Sequence, residues 1–483
     1  MPRRTPRPAT PLVALALVAV LVAASITLVL RLTGHDAGGG TGADPGAPSA
    51  SPSTPSTPGP STAGPSTAGP DAAGPDGGTP STTAGAGAVP SSDLSPGQAR
   101  TVETLKAQVS QIRGLPWKSD LPIRIVSPGE LARRVAELTA ADREKHPGAD
   151  AASEAALKLL GLIPRDLDFS AAVDKLLAGG VLGFYDDEAK ELFVGGDPGA
   201  ELDVATKSTM VHELTHALTD QTFDFGARNR TLSDQELSEE AFALSALVEG
   251  DAELVRILWS DQHLTSRQQL EAELGSGGGD PSVYAETPAY ILDDLFFPYT
   301  TGLEFVTSLH DQGGFAAVDT AYRQPPTSTE EIIHPDLYVP GRQWTRPPLP
   351  DLAGATGCTA VDTSTLGEFD MSETLDQHLP TADAETAAAG WNGDAYGLVR
   401  CGTAVGLADR WRADTPGDLA ELADALGRWA RDWSGSNRAP GADGRFSGPS
   451  GSGRIVRSAD RLDLVIADDA STSDRLAAVL AAA

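Results

Sequence analysis

The chain has 483 residues, with 36 Lys and Arg against 67 Asp and Glu, for a formal net charge of −31. That balance excludes binding to nucleic acid or to an anionic membrane surface through massed basic side chains. The length is ample for a sizeable core and for two lobes around a cleft.

Taken in order, residues 1–10 carry Arg3, Arg4 and Arg7, and Leu12 to Leu30 follow without a charge. As a helix, that run is about 29 Å long at 1.5 Å per residue, enough to span a hydrocarbon core. It predicts a single-pass anchor over 11–32, with the N-terminus cytoplasmic by the positive-inside rule. No small-x-small cleavage site follows Leu30, which favours an uncleaved anchor; cleavage as a signal peptide would instead make the body secreted. Residues 33–97 are dominated by Ala, Gly, Pro, Ser and Thr and are expected to be a disordered linker. Fully extended, the linker would reach roughly 190 Å, holding an extracytoplasmic body away from the membrane.

Folding is expected to begin near Gln98, where Val102, Leu105, Val109 and Ile112 recur at helical spacing. Leu121 to Val126 reads as a strand. Ser127 and Glu130 form a capping pattern before a helix through Leu131, Val135 and Leu138, and another helix covers Ala152 to Leu162. Val181 to Val194 reads as strand, turn, strand.

The next helix, Val204 to Gln221, carries His212-Glu213-Leu214-Thr215-His216. Two histidines four apart share one helix face, their Cβ atoms roughly 5–6 Å apart. Both imidazoles therefore reach one tetrahedral zinc at about 2.0–2.1 Å. Glu213 projects about 100° round the helix from His212, a position suited to a general base rather than a ligand. The preceding hairpin would provide an edge strand able to hold an extended peptide by main-chain hydrogen bonds. A polar loop, Thr222 to Leu232, then leads to a capping pattern at Ser233 and Glu236 and a helix reaching about Trp259. Glu249, Asp251 and Glu253 stand inside that apolar run, where carboxylates call for a partner or a metal.

These motifs resemble the gluzincin, thermolysin-like zinc metallopeptidases. Val211 to Leu218, Ala246 to Ala252, Phe297 to Tyr299 and Pro325 to Pro335, with Gly390 to Asp394, are similar to a group of mostly uncharacterised bacterial exported proteins of that class. The resemblance implies an α+β, zincin-like fold, with a small antiparallel sheet over an active-site helix and a helical second part. It implies Zn2+ held by His212, His216 and Glu249, with Glu213 as general base and a peptide or protein of the cell envelope as substrate. The gap from His216 to Glu249 is longer than in thermolysin-like enzymes, and Val248 stands where they carry Asn. Glu253 therefore remains an alternative third ligand, or a carboxylate that orients a ligand histidine. Gly250, beside Glu249, is expected to let the zinc helix approach closely. Gluzincins also place a His or Tyr donor at the developing oxyanion, and His334 is the first candidate, with Tyr299, Tyr290 and Tyr338 as alternatives.

The metallopeptidase-like domain is assigned to 98–345 and a small C-terminal α+β lobe to 346–483. In that lobe a strand is expected within Trp391 to Ala404, a helix over Leu419 to Trp433 and a hairpin over Ile455 to Ile466. Cys358 and Cys401, in an exported body, are expected to pair, with a loop-closure stabilisation of about 4 kcal/mol. The whole reads as a membrane-anchored, extracytoplasmic zinc metallopeptidase. A catalytically inactive, gluzincin-like cell-envelope binding protein is the alternative, although such a protein would have no use for Glu213.

Overall fold

The computed structural model describes residues 94–276 and 281–483. The predicted N-terminal segment, the anchor and nearly all of the linker lie outside them. Among the described residues, no helix is long and apolar enough to cross a membrane.

The chain is α+β. Helix α1 (Pro96–Arg113) opens on a capping box formed by Ser95 and Gln98. Strand β1 (Ile123–Val126) leads to α2 (Pro128–Lys145), capped by Ser127 as expected. Helices α3 (Ala149–Leu160) and α4 (Phe169–Gly180) follow, then the hairpin β2 (Gly183–Asp186) and β3 (Glu191–Gly195). Next come α5 (Val204–Phe223), α6 (Phe225–Asp234), α7 (Ser238–His263), α8 (Ser266–Ser276), α9 (Pro281–Glu286), α10 (Ala289–Gly313), α11 (Phe315–Arg323) and α12 (Thr329–Ile333). The remainder is α13 (Leu352–Thr356), β4 (Thr359–Ser364), α14 (Gly367–Asp376), α15 (Thr381–Ala388), β5 (Trp391–Cys401), β6 (Ala404–Ala413), α16 (Pro416–Trp433), β7 (Arg445–Gly448), β8 (Gly451–Arg457), β9 (Leu462–Ala467) and α17 (Ala470–Ala482).

The small sheet has the order β1-β3-β2 and is mixed rather than purely antiparallel. β2 pairs antiparallel to β3 through the tight turn, whereas β1 runs parallel to β3. The three helices between β1 and the hairpin provide the long crossover that a parallel pair requires. The second sheet is antiparallel, in the order β4-β5-β6-β9-β8-β7, and Cys358 and Cys401 are disulfide-bonded at its β4–β5 end.

Two local expectations change. The segment read as a polar loop is mostly helix α6, and α7 begins at Ser238 instead of Ser233. Ser233 and Asp234 close the last turn of α6, and Glu236 adopts a left-handed φ of 56° to turn the chain into α7.

Helix α5 is buried from Ser208 to Asp220. On one side Val211, Leu214 and Leu218 join a core with α1 and the small sheet, and Val255 and Trp259 of α7 complete it. Each such side chain contributes about 1.5–3 kcal/mol of burial. The larger core runs from Leu131 and Phe169 through Phe242, Phe297 and Phe305 to Trp391, Trp411, Trp429 and Ile466. Residues on both sides of position 345 therefore share one interior. The Gly390–Asp394 motif serves that interior: Trp391 donates to Asp394, which also accepts from the main chain of Leu366 and Gly367 at the start of α14. Gly393, at φ 111°, leaves room for the carbonyl of Thr345.

Candidate metal centre

Asp203 caps α5 by accepting from the Thr206 amide at 2.8 Å, and α5 packs along α7. The crossing places His212 and His216 of α5 opposite Glu249 of α7. His212 Nε2 lies 3.0 Å from His216 Nε2 and 3.1 Å from Glu249 Oε2, and His216 Nε2 lies 3.2 Å from the same oxygen. A tetrahedral zinc with bonds of about 2.0–2.1 Å needs ligand atoms about 3.3–3.4 Å apart, so the three atoms fit three corners of its shell. They form the one His, Cys, Asp and Glu cluster of metal-binding geometry among the described residues.

All three side chains are buried, and water screens them little. Burial opposes a charge on His212, but the Glu249 and Glu253 carboxylates outweigh it and raise its pKa to about 10. Burial also opposes ionisation of Glu249, yet the imidazoles of His216 and His212 hold it down at about 2. Two imidazole nitrogens and a carboxylate crowded together in the interior favour a positive charge among them, which a proton on His212 supplies in part. A divalent cation supplies that charge for all three at once.

Glu213 is 0 % exposed, and neither of its oxygens makes a hydrogen bond of good geometry. Burial is the largest influence on it and raises its pKa to about 7, against the pull of the two imidazoles and a weak main-chain contact from Tyr185. Tyr185 belongs to β2, an outer strand of the small sheet. A Cβ on Gly183 of the same strand would lie 3.5 Å from Glu213 Cγ, so β2 runs directly beside the candidate base. Tyr185 fixes the strand to α5 through a 2.9 Å hydrogen bond from its hydroxyl to Asp220.

Glu253 stands one turn beyond Glu249, its Oε2 3.6 Å from His212 Nδ1. Arg256 grips both of its oxygens, with Nε at 2.9 Å and Nη2 at 2.5 Å. Burial works against the Glu253 charge, but Arg256 and His212 lower its pKa to about 2. The structure thus places Glu253 behind His212 and Glu249 in front of it.

Gly250 does permit a close approach, but of α10 and not of α5. A Cβ there would overlap the carbonyl of Gly302, and one on Gly302 would overlap that of Ala246. This contact lays Tyr299 of α10 against His212, ring centroids 6.0 Å apart and planes inclined by 21°. Burial and the Glu249 and Glu213 carboxylates hold the Tyr299 hydroxyl well above its ordinary pKa. It makes no hydrogen bond of good geometry. Phe225 of α6 covers His216 edge-on, centroids 6.2 Å apart.

The other oxyanion candidates are engaged with partners outside the cluster. His334, its side chain 34 % exposed, pairs with Glu368 at 2.9 Å, and that bond raises its pKa. Tyr290 donates to Asp370 and Tyr338 to the carbonyl of Gln324. The Pro325–Pro335 motif packs α12 onto the start of α7: Ser328 caps α12, and Thr329 donates through its amide and hydroxyl to Glu239.

Arg256 was not singled out in the sequence, although its spacing of three from Glu253 on a helix is the signal that pairs them. Phe225 lay in the segment read as loop.

A family model described as a domain of unknown function (DUF8575) matches residues 356–479, a stretch that excludes the histidine–glutamate cluster. No curated protein matches the chain. A similar solved structure is a crystal structure from Chloroflexus aurantiacus, of a protein provisionally assigned as a hydrolase with a novel fold. It is 18% identical, the match covers 49% of this chain and 86% of that one, and the TM-score is 0.33. Likeness at that level carries no argument about fold or activity.

Proposed function

We propose that the protein is a zinc metallopeptidase of the gluzincin type, anchored through Leu12 to Leu30 with its body outside the cytoplasm. The observation that supports this most directly is the convergence of His212 Nε2, His216 Nε2 and Glu249 Oε2 within 3.0–3.2 Å of one another beside a buried, uncommitted Glu213. Zinc, when bound, supplies Lewis-acid activation of a carbonyl and of a water molecule. Glu213 takes the proton of the attacking water and delivers it to the departing amine nitrogen. Tyr299, against the face of His212, offers its hydroxyl to the developing oxyanion, a role its position supports better than that of His334. The outer edge of β2 receives the peptide backbone next to Glu213. Because the cluster is buried, the elements around it must part to admit a peptide.

Cleavage of a peptide library by the full chain, with and without chelator, tests this reading alongside Glu213→Gln. The variant is expected to keep fold and zinc while turnover falls about 10²–10⁴-fold. Undiminished cleavage by Glu213→Gln, or cleavage indifferent to chelator, overturns it.

A further inference from the structure

We propose that Arg256 is the positioning residue that sets His212 for metal binding, acting through Glu253, and that Glu273 on α8 anchors the outer end of this relay. The inference rests on the zinc reading above. The planar guanidinium occupies both Glu253 oxygens, Nε to Oε2 at 2.9 Å and Nη2 to Oε1 at 2.5 Å. A carboxylate gripped in this way only accepts hydrogen bonds. The group it faces on its other side is His212 Nδ1, at 3.6 Å, and an acceptor there favours the tautomer with the proton on Nδ1. The lone pair then lies on Nε2, the nitrogen that converges with His216 Nε2 and Glu249 Oε2. The opposite tautomer would put a proton where the cation must sit. With both oxygens committed, Glu253 is also withheld from the metal, which leaves the third position to Glu249.

The orientation of the guanidinium is itself over-determined. Its Nη1 donates to Ser208 of α5 at 3.3 Å and to Glu273 of α8 at 3.1 Å. One buried side chain thereby joins the helix that carries the histidines, the helix that carries Glu249 and a third helix that contributes no ligand. Lysine has a charge but no fork and cannot make these contacts together.

The test is zinc affinity of the full chain, measured by competition with a chromophoric chelator, with the visible spectrum of the cobalt-substituted protein as a second readout. Arg256→Met and Glu253→Gln are each expected to weaken zinc binding 10- to 100-fold. The double variant should be no weaker than about the worse single one, because both act through the same imidazole. Glu273→Gln should show a smaller loss, and all four should alter the cobalt spectrum. A folded Arg256→Met with wild-type affinity and an unchanged cobalt spectrum overturns the relay, as do losses that multiply in the double variant. Should Arg256→Met fail to fold, Arg256→Lys decides: an affinity reduced about 10-fold supports the fork, and wild-type affinity overturns it. Wild-type protein that binds no zinc removes the metal reading itself, whereas tight zinc binding without peptide cleavage removes only the peptidase and leaves the relay standing.

Discussion

Tyr299 stacks on His212 because Gly250 and Gly302 allow α10 to close on α7 backbone to backbone. A side chain at either glycine would push the two helices apart and withdraw the tyrosine from the histidine face. The hydroxyl it delivers is buried beside Glu249 and Glu213 without a well-made hydrogen bond. A buried polar group left in that state costs stability, and the oxyanion role proposed above would account for it.

Tyr299→Phe therefore separates function from folding. Turnover is expected to fall about 10²–10³-fold, the usual loss for one oxyanion donor, while thermal stability stays level or rises slightly because no good hydrogen bond is lost. Parallel measurement of kcat and melting temperature checks this. A variant with full activity removes Tyr299 from the mechanism.

The third ligand can be assigned by substitution. Glu249→Ala should abolish tight zinc binding, whereas Glu253→Ala should cost only the 10- to 100-fold of a carboxylate that orients a ligand histidine. Zinc titrations of the two variants check the order. The reverse order would make Glu253 the ligand, at odds with its double hold by Arg256.

The interior of the second sheet predicts a pH dependence. Asp409 is fully buried, and burial, with Asp394 beside it, holds its pKa well above the ordinary carboxyl value. Burial also raises the pKa of Asp394, but the three hydrogen bonds it accepts oppose that rise, so the proton of the pair rests on Asp409. The folded state therefore keeps a proton on Asp409 that the unfolded chain releases above about pH 3.9. Its stabilising contribution is complete below that pH and is lost as pH rises toward the folded pKa, by about 1.4 kcal/mol per pH unit crossed. Asp409→Asn, with a neutral amide that still donates to Asp394, should gain stability over wild type as pH rises from 5 to 8. Denaturant midpoints of both proteins across that range check it, and a gap that stays constant or shrinks contradicts it.

Local periodicity made the metal helix readable in the sequence. The four-residue spacing of His212 and His216 and the stripe of Val211, Leu214 and Leu218 belong to one helix and depend on nothing distant. A carboxylate within an apolar run calls for a partner or a cation, which drew attention to Glu249, Asp251 and Glu253 alike; only the resemblance put Glu249 ahead of Glu253. Tyr299 was only one candidate among several, since Pro298 and Gly302 disguise α10 and its contact with α7 depends on two glycines far apart in sequence. The parallel pairing of β1 with β3 was unreadable for a similar reason, being set by a crossover and not by strand composition. Arg256 resembles an ordinary solvated helix residue until the fold buries it against Glu253.

The most direct test of the metal centre is elemental analysis of the purified full chain beside His216→Ala. The proposed zinc reading predicts about one zinc per wild-type chain and essentially none in the variant. Wild-type protein without metal, or zinc retained equally in His216→Ala, would contradict the assignment of His212, His216 and Glu249.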